Sequence, residues 1–314
     1  MEGVHLQLVI NKHLFAAYCG MIKGGYDLME RSDPIVANIC KFLAETDFCD
    51  SAAHYFACAR TGEVAVNPYF PRGSDLAVAC FFQEKSLPEY LRFLDYCESP
   101  ERNDAGFIEW ISQLPRVLTG IESHREFNRL YLCYRNLLRE RFAGFSAQAA
   151  KCEEIFQSAA LFPQPSLIAF APNLLQSKYL ADYAVVDGTL YVIAYTFAPE
   201  AIIHEYLHTL LKPHQSLLLN AVRRHGINKF INVNATIALG YMNSDSPFGA
   251  AHALEDCVVR ALYGALDPSL DMALYCQKNT ESGFCSVARM IQNLSNTAWR
   301  SLPLAQVAAQ MLDC

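Results

Sequence analysis

The sequence predicts an α+β protein that is mostly helical, with a small, partly antiparallel sheet packed on a helix that carries an HExxH motif. Three observations support this fold class. Apolar residues recur at three- and four-residue spacing along most of the chain, which is typical of amphipathic helices. Two β-rich runs flank an Asp-Gly pair at 187–188, a strong hairpin signal. The motif follows directly, in an apolar run bounded by Pro199 and Pro213.

Length and composition indicate a globular protein with a large core. The chain has 314 residues, of which 52% are hydrophobic and 18% are charged, against a usual charged share of about 25%. We divide it into a helical domain at 1–160, whose role no motif indicates, and a second domain at 161–314. The second domain holds the sheet, the motif helix and the C-terminal helices.

Charge and cysteine usage narrow the possible partners and location. The net charge is −7 and no basic stripe is present, so we expect no nucleic-acid partner. No uninterrupted apolar run reaches 18 residues, so we expect no membrane span. The first twenty residues lack the basic and apolar regions of a signal peptide, and the 12 cysteines include no CxxC pair. These features favour a reducing cytoplasm, while the oligomeric state stays open.

The first half of the chain is helical in pattern almost throughout, up to about residue 160. Four segments show this periodicity most clearly: DPIVANICKFLAE (33–45), LPEYLRFLDYC (87–97), AGFIEWISQL (105–114) and REFNRLYLCYRNLLRERF (125–142).

The pattern changes to strands shortly before the motif. PSLIAFAP (165–172) is a short apolar run bounded by prolines, and DYAVVDGTLYVIAY (182–195) is the predicted hairpin. Pro199 suits the first turn of the motif helix, which should end near Leu211 or Lys212 because Pro213 disfavours helix in the residue before it. The remainder of the chain, 216–314, is again helical in pattern.

The stretch HEYLH (204–208) carries the predicted chemistry. On a helix, His204 and His208 share a face, so both imidazoles can bind one metal ion, and zinc suits this ligand type. Glu205 can reach a zinc-bound water, take its proton as general base, and return it to a leaving amine. This is the zincin arrangement, and we expect one Zn²⁺ per chain.

The third zinc ligand stays open among three residues. His214 gives a spacing that resembles the metzincin pattern, but that pattern requires glycine where this chain has Leu211. Met242 could form the methionine turn of the metzincin pattern, but one methionine does not establish that pattern. Glu255 and Asp256 lie on a later apolar helix, and either can supply a carboxylate.

Polar residues form a stripe on that later helix. Asp256 shares a face with His252 and Arg260, four residues to either side, and with Tyr263 one turn further. Arg260 and Tyr263 are candidates for stabilising an oxyanion or for binding a substrate carboxylate, and His252 can act similarly. Each of the three can equally be a structural hydrogen-bond partner.

HEYLHTLLKP followed by EDCVVRAL resembles the gluzincin zinc metallopeptidases over roughly 166–266, and is most similar to bacterial families of uncharacterised function. The resemblance implies His204 and His208 as ligands, Glu205 as general base and Glu255 as third ligand. In the related pattern the acidic residue stands four before the arginine, which here is Asp256. The usual aspartate four residues after the ligand glutamate is replaced by Val259, so the residue that orients His204 is not indicated.

The sequence therefore predicts a zinc metallopeptidase that acts on a peptide or protein substrate. Two alternatives remain. One is a metal-dependent amide hydrolase that acts on a small molecule. The other is a non-catalytic helical binding protein whose metal site is structural or vestigial, which a closed site with four protein ligands would indicate.

Overall fold

The computed structural model describes residues 5–61, 80, 105–158, 167–178, 181–186, 188–237, 247–295 and 298–313. The predicted helix at 87–97, Asp187 of the hairpin and Met242 lie outside the described residues. Within them, the protein is mostly helical with one small mixed sheet, as the sequence predicts.

The helices are α1 (Lys12–Lys23), α2 (Pro34–Glu45), α3 (Asp50–Thr61), α4 (Ala105–Ser112), α5 (Leu114–Glu122), α6 (Phe127–Arg141), α7 (Phe145–Ser158), α8 (Pro199–Leu211), α9 (Gln215–His225), α10 (Val233–Ile237), α11 (Pro247–Leu266), α12 (Met272–Glu281), α13 (Val287–Ser295) and α14 (Leu304–Leu312). Short 3₁₀ turns cover Lys212–His214, Ile227–Lys229 and Trp299–Ser301. The strands are β1 (His5–Leu8), β2 (Leu167–Pro172), β3 (Ala181–Val186) and β4 (Thr189–Ala194).

The sheet has the strand order β1-β2-β4-β3. β2 pairs in parallel with β1 and with β4, while β3 and β4 form the predicted antiparallel hairpin, in which Gly188 takes a positive φ of 75°. The helical pattern assigned to the start of the chain does not hold at β1. This strand has four residues and draws its backbone hydrogen bonds from β2, more than 150 residues later, so no local pattern could reveal it.

The chain forms two compact units that do not follow sequence order. The first comprises 1–150 and 165–201, and the second comprises 151–164 and 202–314. The predicted division at 160/161 differs from this grouping chiefly at the three strands β2 to β4, which lie in the first unit because β2 pairs with N-terminal β1.

The first unit combines the sheet with the N-terminal helices. Its central strand β2 is buried, with Ile168 and Phe170 fully inaccessible to solvent. α1 packs on α3 and α5, and Gly20 allows the ring of Phe56 to lie directly against the α1 backbone. The stacked rings of Phe15 and Tyr134, with centroids 4.6 Å apart, extend this core.

The second unit is built around α11, which packs on α9 and α13. Apolar side chains along α11, such as Leu254, Val258 and Leu262, are fully buried. Polar side chains on such a helix are taken out of water and need partners within the protein. Two of them, Glu255 and Asp256, are nevertheless as buried as their apolar neighbours.

No helix among the described residues is long and apolar enough to cross a membrane. The nine cysteines that the structure describes are free thiols, and five of them are buried.

Candidate metal centre

Helix α8 places His204 and His208 on one face, one turn apart. It begins at Pro199 and ends at Leu211, as the sequence predicts, and the chain then tightens into the 3₁₀ turn Lys212–His214. The two imidazole centroids are 4.8 Å apart, and their Nε2 atoms are 3.2 Å apart. Both Nε2 atoms therefore face a common point.

Helix α11 brings Asp256 to the same point. Its side chain is only 4% exposed, and its Oδ1 lies 2.9 Å from His204 Nε2 and 3.8 Å from His208 Nε2. Two nitrogens and one carboxylate oxygen, from helices about 50 residues apart in sequence, thus converge. In the described part of the chain, these three residues form a group that could hold a metal ion.

The separations within this group are close to those that a small divalent metal ion such as zinc requires. Atoms that each lie about 2.0–2.2 Å from a tetrahedral zinc ion are about 3.3–3.6 Å from one another. The three observed separations are 3.2, 2.9 and 3.8 Å. In a triangle with these sides, one point lies about 2 Å from all three atoms, which is a metal–ligand distance that zinc accepts.

Glu255, the neighbour of Asp256, contacts the opposite nitrogen of His208. Its Oε1 lies 2.9 Å from His208 Nδ1. Its Oε2 accepts a hydrogen bond from Gln215 at the start of α9, and lies 3.7 Å from Nδ1 of the exposed His252. With Nδ1–H donated to Glu255, the Nε2 lone pair of His208 is left for a metal ion, which is how carboxylates orient ligating histidines.

Arg260 contacts the second oxygen of Asp256. Arg260 Nε donates to Asp256 Oδ2 over 2.9 Å, and its guanidinium also reaches Oδ1 of Asn279, 3.4 Å away. The two oxygens of Asp256 therefore have different partners. Oδ1 faces the histidines, and Oδ2 faces the arginine.

The electrostatics of the centre favour a cation. Burial lowers the pKa of His204 to about 4. Burial also opposes charge on His208, but hydrogen bonds to Asp256 and Glu255 outweigh it and raise the pKa of His208 to about 10. Although burial opposes ionisation of the carboxyls, hydrogen bonds to His208 and His252 lower the pKa of Glu255 to about 2, and Arg260 lowers the pKa of Asp256. Two ionised carboxylates beside one permanent cation favour a second positive charge, either a proton on His208 or a metal ion.

The remaining predicted residues lie at different places. Glu205 is buried next to His204, and its charge contributes to the raised pKa of His208. The hydroxyl of Tyr263 donates to Asp267 over 2.9 Å. His214 closes the 3₁₀ turn after α8 and does not belong to the three-residue group found among the described residues.

The sequence reasoning missed Gln215 and Asn279, which support Glu255 and Arg260 from α9 and α12. Neither residue lies in a motif, and each reaches the centre only from a separate helix that packs beside it, so no sequence signal pointed to them. No protein-family model, curated protein or solved structure matches the chain. What the centre does is therefore inferred from its own geometry and chemistry.

Proposed function

We propose that this chain is a zinc-dependent hydrolase that cleaves a peptide bond, with the metal bound by His204, His208 and Asp256. The convergence of two Nε2 atoms and one carboxylate oxygen, at separations that suit zinc, carries the proposal. The described residues supply three donors, which leaves a tetrahedral ion one open position. Catalytic zinc sites have such an opening, whereas structural sites are closed by four protein ligands.

Asp256 rather than Glu255 is the third ligand in this proposal. Oδ1 of Asp256 lies on the side of the histidines where both Nε2 atoms meet, whereas Glu255 bonds the far nitrogen of His208. Glu255 therefore acts on the ligand His208 and not on the metal. It fixes the tautomer of His208 and makes its imidazole a better donor.

Glu205 is the general base in this proposal. A bound zinc ion lowers the pKa of a water molecule and polarises a carbonyl group. The Glu205 carboxylate takes up the proton that the water loses on attack and delivers it to the leaving amine. The resemblance of HEYLHTLLKP to gluzincin peptidases supports a peptide bond as the target.

Elemental analysis combined with an activity assay tests the proposal. Purified wild type, Glu205→Gln and His208→Ala are dialysed against zinc and compared with His225→Ala, a histidine at the end of α9 outside the centre. We expect about one zinc per chain in all but His208→Ala, because only that variant loses a ligand.

Hydrolysis of a mixed library of quenched fluorescent peptides should be abolished in Glu205→Gln and His208→Ala and retained in His225→Ala. Zinc binding with cleavage of small amides but not peptides would favour the small-molecule alternative. Wild type that binds no zinc would refute the proposed centre.

A further inference from the structure

The two carboxylate oxygens of Asp256 are held in different ways, although both are buried. Oδ1 is directed at His204 and His208, and Oδ2 receives the Nε–H of Arg260 at 2.9 Å. A hydrogen bond between two ionised groups is among the stronger ones that a protein forms. Rotation of the Asp256 carboxylate about its Cβ–Cγ bond would break this hydrogen bond to Arg260.

Arg260 is itself braced by three residues of α12 and the turn that follows. Its guanidinium lies 4.1 Å from the centroid of the fully buried Phe284 ring. Asn279 presents its amide oxygen to Arg260, and its amide nitrogen donates to Tyr275 O at 2.9 Å, so the amide cannot flip without losing a bond. The Tyr275 hydroxyl in turn donates to the backbone carbonyl of Arg260 at 2.8 Å.

We infer that Arg260 is a positioning residue that makes Asp256 a ligand through one oxygen only. A carboxylate with both oxygens available can bind one metal ion through both. With Oδ2 occupied by Arg260, Asp256 contributes Oδ1 alone, and the remaining position of a tetrahedral ion stays open for water or substrate. This inference rests on the proposed function, because it concerns the same metal, and it gives Arg260 a role other than direct contact with the oxyanion.

A purely structural arginine would behave differently. Loss of its contacts with Phe284 and Asn279 would lower stability, but the folded variant would bind metal with unchanged affinity and geometry. The coordination of the metal therefore separates the two roles. Cobalt(II) is a suitable probe, because its visible absorption depends on the number and arrangement of its ligands.

The experiment titrates cobalt(II) into wild type, Arg260→Met and Arg260→Lys, and measures absorption and, by competition with a chelator, affinity. Arg300→Met is the matched control, since Arg300 also stacks on an aromatic ring, that of Trp299, with its guanidinium 5.1 Å from the centroid. We expect Arg260→Met to bind cobalt about 10- to 100-fold more weakly, the range for loss of a residue that supports a ligand. Its absorption band should change in shape and intensity.

Arg260→Lys keeps the positive charge and most of the volume, so it reports on the inference even if Arg260→Met does not fold. It should show a smaller loss of affinity and an altered band, because an ammonium group cannot reproduce the geometry of the guanidinium. Arg300→Met should match wild type. If wild type binds cobalt and both Arg260 variants share its affinity and spectrum, Arg260 is not a positioning residue, although the metal centre stands. If wild type binds no cobalt, this inference and the proposed centre both fail.

Discussion

Adjacent side chains on a helix point about 100° apart, since the helix turns once in 3.6 residues. Glu255 and Asp256 are adjacent on α11, and this rotation directs one to Nδ1 of His208 and the other to the two Nε2 atoms. Their different environments follow from that direction. Glu255 meets Gln215 and His208, whereas Asp256 meets the histidines and Arg260.

Amide substitutions separate the two carboxylates by role. In Asp256→Asn the proposed zinc ligand loses its charge, so we expect zinc affinity to fall more than 100-fold, beyond the roughly 10- to 100-fold range of supporting residues. Glu255→Gln keeps an oxygen that can accept a hydrogen bond from His208 Nδ1–H. Its loss of zinc affinity should therefore stay within that roughly 10- to 100-fold range. Chelator competition measures both affinities. Equal losses in the two variants would contradict the assignment of different roles, and a larger loss in Glu255→Gln would mean that the roles are reversed. Glu281→Gln on α12 is a control, because Glu281 bonds Gln277 away from the centre.

At the scale of elements, the contact between α1 and α3 depends on the absence of a side chain at Gly20. A Cβ there would lie 2.7 Å from Cδ2 of the fully buried Phe56 and 3.2 Å from Cδ1 of Ile121. The first distance is shorter than carbon atoms tolerate, and neither neighbour has free space around it. The helices would have to move apart.

Gly20→Ala should therefore lower the free energy of unfolding by about 1–3 kcal/mol, the usual cost of overpacking. Gly120→Ala on the exposed side of α5 is the matched control, because a Cβ at that position meets nothing within 4 Å. It should be neutral or stabilise the protein by up to about 1 kcal/mol, since alanine has the higher helix propensity. Urea unfolding measures both. A Gly20→Ala variant as stable as Gly120→Ala would contradict the described packing.

The N-terminus of α2 combines a helix cap with an ion pair. The Asp33 carboxylate accepts from the backbone N–H of Ile35, and also from Arg141 and the Tyr195 hydroxyl. Although burial opposes ionisation, these hydrogen bonds lower the pKa of Asp33 below its usual value. A carboxylate whose pKa is lower in the folded state stabilises the protein above its unfolded-state pKa of about 3.9, and this contribution is lost as the pH falls below that value.

Asp33→Asn keeps a cap-forming side chain but removes the charge, so it should lower the free energy of unfolding at pH 7 by about 1–3 kcal/mol. The difference from wild type should shrink as the pH falls through about 4 toward the native pKa of Asp33. Asp33→Ala also loses the cap and should cost about 1 kcal/mol more. Urea unfolding at several pH values tests this. A difference between wild type and Asp33→Asn that is constant down to pH 3 would exclude the ionic contribution.

At the scale of the whole molecule, local sequence pattern predicts some features of the fold and of the centre, but not others. The bounds of α8 and the shared face of His204 and His208 follow from spacing and from two prolines, so they could be predicted. The pair Asp256–Arg260 also follows from helical spacing, but His252 contacts Glu255 rather than Asp256. Which carboxylate faces α8 depends on the rotation of α11 against it. That rotation is set by packing over many residues and leaves no local signal.

Strand β1 and the support residues show the same limit. A four-residue strand exists only through its distant partner, and Gln215 and Asn279 become relevant only once α9 and α12 pack beside α11. Local pattern alone therefore leaves the third ligand open. Long-range packing is what distinguishes Asp256 from Glu255.

Zinc should stabilise the second unit, because the proposed ligands join α8 and α11, and the unfolded chain does not hold them together. A ligand present at 100 times its dissociation constant stabilises the folded state by about 2.7 kcal/mol. For a unit of this size, that corresponds to a rise in the unfolding temperature of roughly 10 °C.

Calorimetry on the full chain should detect this rise, and hydrogen exchange should show slower exchange of the amides of α8 and α11. In His208→Ala neither change should occur, whereas His225→Ala should respond as wild type does. If zinc raised the unfolding temperature of His208→Ala as much as that of wild type, the ion would be binding elsewhere on the chain.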